Sequence, residues 1–189
     1  MSQPILRPQD VVVLVKLLSY QGRRPPMSEI GHDLSISPSQ IHAALKRLAL
    51  SKLVSSAADS NRPLLEAVEE FLVHGVKYAF PARRGEVTRG VPTSCAAPPL
   101  SSEIEPGTEL PPVWPFAEGQ HRGVTLEPLH KSVPAVALRD PDFYEIMALI
   151  DAIREGRARE RKLAQDKLID LLRRQVHEGP ESSSTQSRR

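Results

Sequence analysis

Three observations predict a mainly α-helical protein: apolar residues at helical spacing toward both ends of the chain, cap residues at the starts of those stretches, and a concentration of proline between them. The 18 prolines among 189 residues cluster between Pro81 and Pro141. Proline lacks a backbone donor and fixes φ, so Pro98-Pro99 and Pro111-Pro112, with Gly107, Gly119 and Gly123, argue against regular structure there. The expected division is a helical part over 1–80, an irregular proline-rich strap or linker over 81–139, a helical element over 140–177 and a disordered tail over 178–189. One compact core spanning the whole chain is not expected.

From the N-terminus, Leu6 to Tyr20 reads as a helix. Pro8 suits its first turn, and Val11, Leu14, Val15 and Leu18 form a stripe. The run Val11-Val12-Val13 also suits a buried strand. After the stop at Gln21–Pro26, Ser28 to Leu34 reads as a short second helix. Ser37-Pro38-Ser39-Gln40 opens a third, running to about Leu50: Ser37 is a good N-cap, Pro38 takes the first helical position, and Gln40 suits a capping box. Leu53-Val54 and the polar stretch Ser55 to Arg62 fit a compact wing or a simple loop. Pro63 to Tyr78 reads as a fourth helix burying Leu64, Leu65, Val68, Phe71, Leu72 and Val76. In the strap, Trp114, Phe116, Val124 and Leu126 are candidate anchors, since so long a loop is unusual in a compact domain. Asp140-Pro141 opens a helix to about Arg154 with Phe143, Ile146, Met147 and Ile150 on one face. A last helix from Arg157 to about His177 buries Ala164, Leu168, Leu171 and Leu172.

Composition narrows the function classes. Aromatic residues make up 4% of the chain, so Leu, Val, Ile and Ala must build the core. The single cysteine, Cys95, allows no intrachain disulfide, which fits a reducing compartment. The N-terminus lacks a signal-peptide pattern, and no apolar run approaches the roughly 20 residues needed to span a bilayer. A cytoplasmic protein without a membrane partner is expected. Charge is segregated: residues 1–55 hold seven Lys/Arg against three Asp/Glu, residues 101–150 three against eight, and residues 151–189 ten against seven. Such a chain presents a basic face to phosphate while staying nearly neutral overall.

The segment Met27 to Lys46 carries the strongest functional signal. Two helices packed across a tight turn need apolar residues where they face each other, a small residue where they approach, and a turn residue between. Ile30, Leu34, Ile36, Ile41 and Ala44 fill the apolar positions, Gly31 is the small residue, and Ser35 sits in the turn. These offsets are those of a helix-turn-helix. A helical wheel of the third helix points Ile41, Ala44, Leu45 and Leu48 to the core. Ser39, Ala43 and Lys46 face outward, flanked by Gln40 and Arg47 on one side and His42 on the other. With Ser37 at the cap, this face is small and polar at its start and basic at its end. Ser and Gln suit base edges in a major groove; Lys46 and Arg47 suit phosphates or guanine. Arg23, Arg24 and Lys52 add candidate backbone contacts, as does Arg62 at the wing.

A three-helix unit followed by Leu53-Val54, a polar tip and a further helix resembles the winged-helix domains of the MarR-like bacterial regulators, over about residues 6–80. Ser35 stands where many members place Gly. The resemblance implies a sequence-specific double-stranded DNA-binding transcriptional regulator, expected to be a dimeric repressor, with the last two helices as the dimerisation element. The same face also suits an ordinary solvated helix in a bundle. Cap signature, apolar offsets and basic excess coincide in one segment, which favours DNA. A reading of a different class is a protein-interaction module or antitoxin-like partner, whose strap and C-terminal helices hold a protein from the same operon, with DNA binding autoregulatory or absent.

The remaining features are less specific. Arg157-Ala158-Arg159-Glu160-Arg161-Lys162, interspersed with acids, reads as a solvated face with i,i+4 pairs. Arg83-Arg84 with Arg89 is open to either reading, and the acidic stretch Glu103 to Glu109 reads as a solvated loop. No metal-ligand spacing joins His32, His42, His74, His121, His130 or His177 to Cys95 or to carboxylates. His74, beside Gly75, is read as a packed or capping residue. There is no glycine-rich phosphate loop, HExxH or nucleophile elbow. No enzyme activity, catalytic residue, metal or cofactor is expected. Nothing near Cys95 in the sequence lowers a thiol pKa, so redox sensing is a minor reading.

Overall fold

A computed structural model describes residues 5–56, 61–105 and 108–177, the side chains of 175–177 excepted. The expected disordered tail at 178–189, the tip of the expected wing at 57–60 and Gly107 lie outside the described residues. The elements are α1 (Pro8–Ser19), α2 (Met27–Leu34), α3 (Pro38–Leu50), α4 (Leu65–Glu70), a π-helical turn (Phe71–Gly75), α5 (Val76–Ala79), β1 (Arg84–Pro92), β2 (Pro112–Pro115), β3 (His121–Leu126), α6 (Val133–Ala137), α7 (Pro141–Glu155) and α8 (Ala158–His177). No helix among the described residues is long and apolar enough to cross a membrane.

The expected irregular strap holds a small sheet, so the chain is helix-rich but mixed. Strand β1 pairs antiparallel with β3, from Arg84↔Leu126 to Gly90↔His121, across an irregularity between Arg84 and Val87. It also pairs antiparallel with β2, as Gly90↔Pro115, Val91↔Trp114 and Pro92↔Val113. Parallel pairing of β2 with β3 closes the three strands on one another. Glycine makes the closure possible. A Cβ on Gly90 would stand 2.0 Å from the Trp114 carbonyl oxygen, and one on Gly123 would stand 2.1 Å from that of Pro111. The prolines bound the strands more than they break them: Pro112 and Pro115 are the ends of β2, positions where a missing donor does least harm.

The expectation of separate cores also gives way. One hydrophobic cluster runs from Val11 through Trp114 and Phe143 to Leu172. Two helices lie at its centre. The valine run lies within α1 and is helical, and every residue of that helix from Asp10 to Leu18 is buried. In α7 every residue from Ile146 to Ile153 is buried. A helix buried all round needs neighbours on every side. Those of α1 include α2, α3 and α7, while α8, α6 and α5 lie against α7. Helix α8 lays Ala164, Leu168 and Leu172 onto this body. The leucine stripe read as a dimer contact is therefore covered within the chain, except that Leu171 is only half-buried.

A buried polar knot pins the sheet to the helices. Asp151 of α7 is fully buried. Its Oδ2 accepts from the Trp114 indole at 2.7 Å and from the Thr93 hydroxyl at 2.9 Å, and its Oδ1 meets Arg154 at 2.6 Å. Burial pushes the Asp151 carboxyl up; Arg154 and the two donors pull against it. Arg154 also donates to the carbonyls of Phe80 and Pro81, tying in the end of α5. The fourth predicted helix is present but broken by the π turn, and Leu64 precedes it half out of the core, 40% exposed. His74, in that turn, is exposed rather than packed.

Candidate nucleic-acid interface

Helix α2 ends at Leu34, and Ser35 turns the chain in the left-handed region at φ 53°. The Ile36 amide donates back to Gly31 O at 2.9 Å and the Ser35 amide to His32 O at 3.1 Å. A Cβ on Gly31 would stand 2.7 Å from the Ile36 carbonyl oxygen, so only glycine permits this turn. The Ser37 hydroxyl then caps α3, accepting from the Gln40 amide at 3.4 Å and donating to Gln40 Oε1 at 3.2 Å. Gln40 is thus held by the hydroxyl, not by the Ser37 amide of a full capping box. Ile30, Leu34, Ile36, Ile41, Ala44, Leu45 and Leu48 are all buried, as the apolar offsets require.

Two buried ionic contacts fix this pair of helices to α1. Asp10, fully buried, receives the Arg47 guanidinium in a bidentate contact at 2.6 and 2.7 Å. The hydrogen bond to Asp10 holds the Arg47 pKa above its ordinary value, against burial. Lys16 Nζ reaches Asp140 at 2.7 Å and Asp33 at 3.1 Å, and lies 4.4 Å from the Tyr20 ring centre. Burial raises both carboxyls, but the Tyr20 hydroxyl and Lys16 at Asp33, and Lys16 and the Phe143 amide at Asp140, hold them below the usual range. Burial and the bond to Asp33 push the Tyr20 hydroxyl up. One lysine thereby joins α1 to α2 and to the N-cap of α7.

The sequence-assigned residues divide accordingly. Ser37, Ser39, Gln40, His42 and Lys46 are exposed along α3, and Ala43 is half-buried among them. Lys52, just past α3, is exposed at φ 57°. Arg24 is exposed. Arg62 is exposed where the chain folds back, its carbonyl accepting from the Ser55 amide at 2.8 Å, beside a single bridge between Val54 and Pro63. Arg23 is occupied by Glu29 at 2.6 Å and stacks on Tyr20. Arg47 is a correction: it faces Asp10 and leaves the outward face. A wheel assigns a direction, but a long side chain on the flank follows the nearest unpaired buried charge. Asp10, an acid in the valine-rich first helix, was the signal for that pairing.

Charge at the surface follows from this sorting. The three acids of residues 1–55 are all engaged: Asp10 by Arg47, Asp33 by Lys16, Glu29 by Arg23. Arg7, Arg24, Lys46 and Lys52 remain exposed, with no ion pair among the described residues. The basic excess of this segment is therefore carried at its surface. Elsewhere, Cys95 lines a groove of about 510 Å³ with Arg84, Arg157 and Glu160. Burial, then Glu160 and Glu155, push its thiol up, which disfavours the reactive thiolate. No family model, curated protein or solved structure matches the chain.

Proposed function

We propose that this chain is a sequence-specific, double-stranded DNA-binding transcriptional regulator that reads DNA with α3 of a winged helix-turn-helix of MarR-like kind. The observation that carries the reading is the outer face of α3: Ser39, Gln40, His42 and Lys46 are exposed together, on a helix whose opposite face is locked by Ile41, Ala44, Leu45 and Leu48. A groove-reading helix needs a rigid mount and polar side chains near its N-terminus. Ser39 and Gln40 are assigned to base edges; Lys46, with Lys52, Arg24 and Arg62, to phosphates. Repression by a two-fold dimer reading two half-sites remains part of the proposal. Its interface is placed away from Leu168 and Leu172, which the chain itself covers.

In the interaction-module reading the strap and C-terminal helices hold a partner through their exposed residues, and DNA binding is autoregulatory or absent. Val113, Trp114, Leu126 and Leu168 are not among these, being buried against the rest of the chain. The test is selection of bound genomic fragments, then titration of the selected and a scrambled duplex. Gln40→Ala is expected to cost about 1–3 kcal/mol on the selected duplex and little on the scrambled one. Lys46→Ala is expected to weaken both alike and to lower the salt slope by about one unit. Wild-type binding no tighter than that of an unrelated protein of similar charge sinks the proposal.

A further inference from the structure

The basic run Arg83-Arg84 with Arg89 separates once the strands form. Arg84 is spent on Glu155, at 2.6 Å. Arg89 stands directly opposite Arg122 of β3. Residues directly opposite on antiparallel strands share one face, with Cβ atoms about 4.5–5.5 Å apart. Both arginines are exposed, and neither guanidinium has an ion pair or hydrogen bond among the described residues. Two like charges in this position destabilise a sheet, so the pair brings the fold no benefit. Nor can it be relieved by slippage. Closure of β1 against both β2 and β3 through Gly90 holds the register. The adjacent pair on the same face is Val87↔Val124, and Val87 is 45% exposed.

We infer that Arg89 and Arg122 form a clamp for a backbone phosphate of duplex DNA, a second contact separate from α3; the inference rests on the DNA-binding reading above. Each guanidinium is a planar fork of donors that matches phosphate oxygens. A phosphodiester between two of them offers an oxygen to each and turns their mutual repulsion into attraction. The contact reads no bases; it sets how the protein lies on the duplex.

The test uses the full chain and a fluorescein-labelled duplex of mixed sequence, titrated at several salt concentrations. The variants are R89Q/R122Q, the charge-keeping R89K/R122K, and K46Q. The clamp predicts that R89Q/R122Q lowers the salt slope by about one unit, as the loss of one phosphate contact does, and that R89K/R122K keeps most of that slope. It also predicts that R89Q/R122Q melts no lower than wild type, because a repulsive pair has been removed. If wild type binds and K46Q weakens it while R89Q/R122Q leaves affinity and slope unchanged, the clamp is overturned and the DNA-binding reading stands. A duplex that wild type does not bind overturns both. Should poly-glutamate bind wild type but not R89Q/R122Q, with duplex binding unaffected by that change, the face belongs to an acidic protein partner and the clamp is overturned.

Discussion

Lys46 and Arg47 are neighbours on α3 with opposite surroundings. Lys46 reaches solvent, while Arg47 closes on a carboxylate that has no contact with water. Removing one partner of a buried ion pair strands the other charge, which typically costs about 3–5 kcal/mol. Arg47→Ala is therefore expected to destabilise the fold by about that amount, read as a lower urea midpoint. Lys46→Ala should stay within about 0.5 kcal/mol of wild type, as surface substitutions do. Equal stability of the two variants would remove the structural role assigned to Arg47. Lys46 was legible from the sequence because its side chain leaves the helix away from Ile41, Leu45 and Leu48. Arg47 was misplaced because its partner lies 37 residues away in sequence.

At the scale of elements, the α2–α3 turn depends on two small residues for different reasons. Gly31 is needed because backbone occupies the place of its Cβ. Ser35 holds a left-handed conformation that an L residue adopts at a cost of about 1–2 kcal/mol. Gly31→Ala is expected to push α3 off its mount, costing about 1–3 kcal/mol as overpacking does and weakening duplex binding together with stability. Ser35→Gly is expected to leave stability unchanged or raise it by up to about 1 kcal/mol. Thermal melts and duplex titrations of both variants check this; an unperturbed Gly31→Ala would mean that the turn has room to relax. The strands are the counter-example. Strand β1 is mostly exposed and rich in Arg and Gly, and β2 is four residues with proline at each end. Neither carries the alternation by which a half-buried strand announces itself.

Across the whole molecule, α1 and α7 lie together in one core although more than a hundred residues separate them. Such a core does not divide at the proline-rich segment. A chain ending at Pro134 lacks α7 and α8, and so leaves Val11–Leu18 and Trp114 without their cover and Thr93 and Trp114 without Asp151. It is expected to lose cooperative unfolding and to show broad exchange of backbone amides, instead of forming a folded monomer. A well-dispersed, cooperatively melting product would show that the N-terminal helices carry their own core.

Local rules were enough for the helices α2, α3, α7 and α8, for the cap at Ser37 and for the turn at Ser35, because spacing, capping and close approach act over a few residues; for α1 they left a buried strand open at Val11-Val12-Val13. The exposed polar face of α3 was legible on the same grounds. Tertiary structure decided the rest. It turned the proline-rich segment into three closed strands, moved Arg47 from the surface to Asp10, covered Leu168 and Leu172 with the chain's own helices, and set Arg89 against Arg122. Each of these depends on a partner remote in sequence, and a buried charge or apolar stripe specifies that it must be met without specifying by which residue.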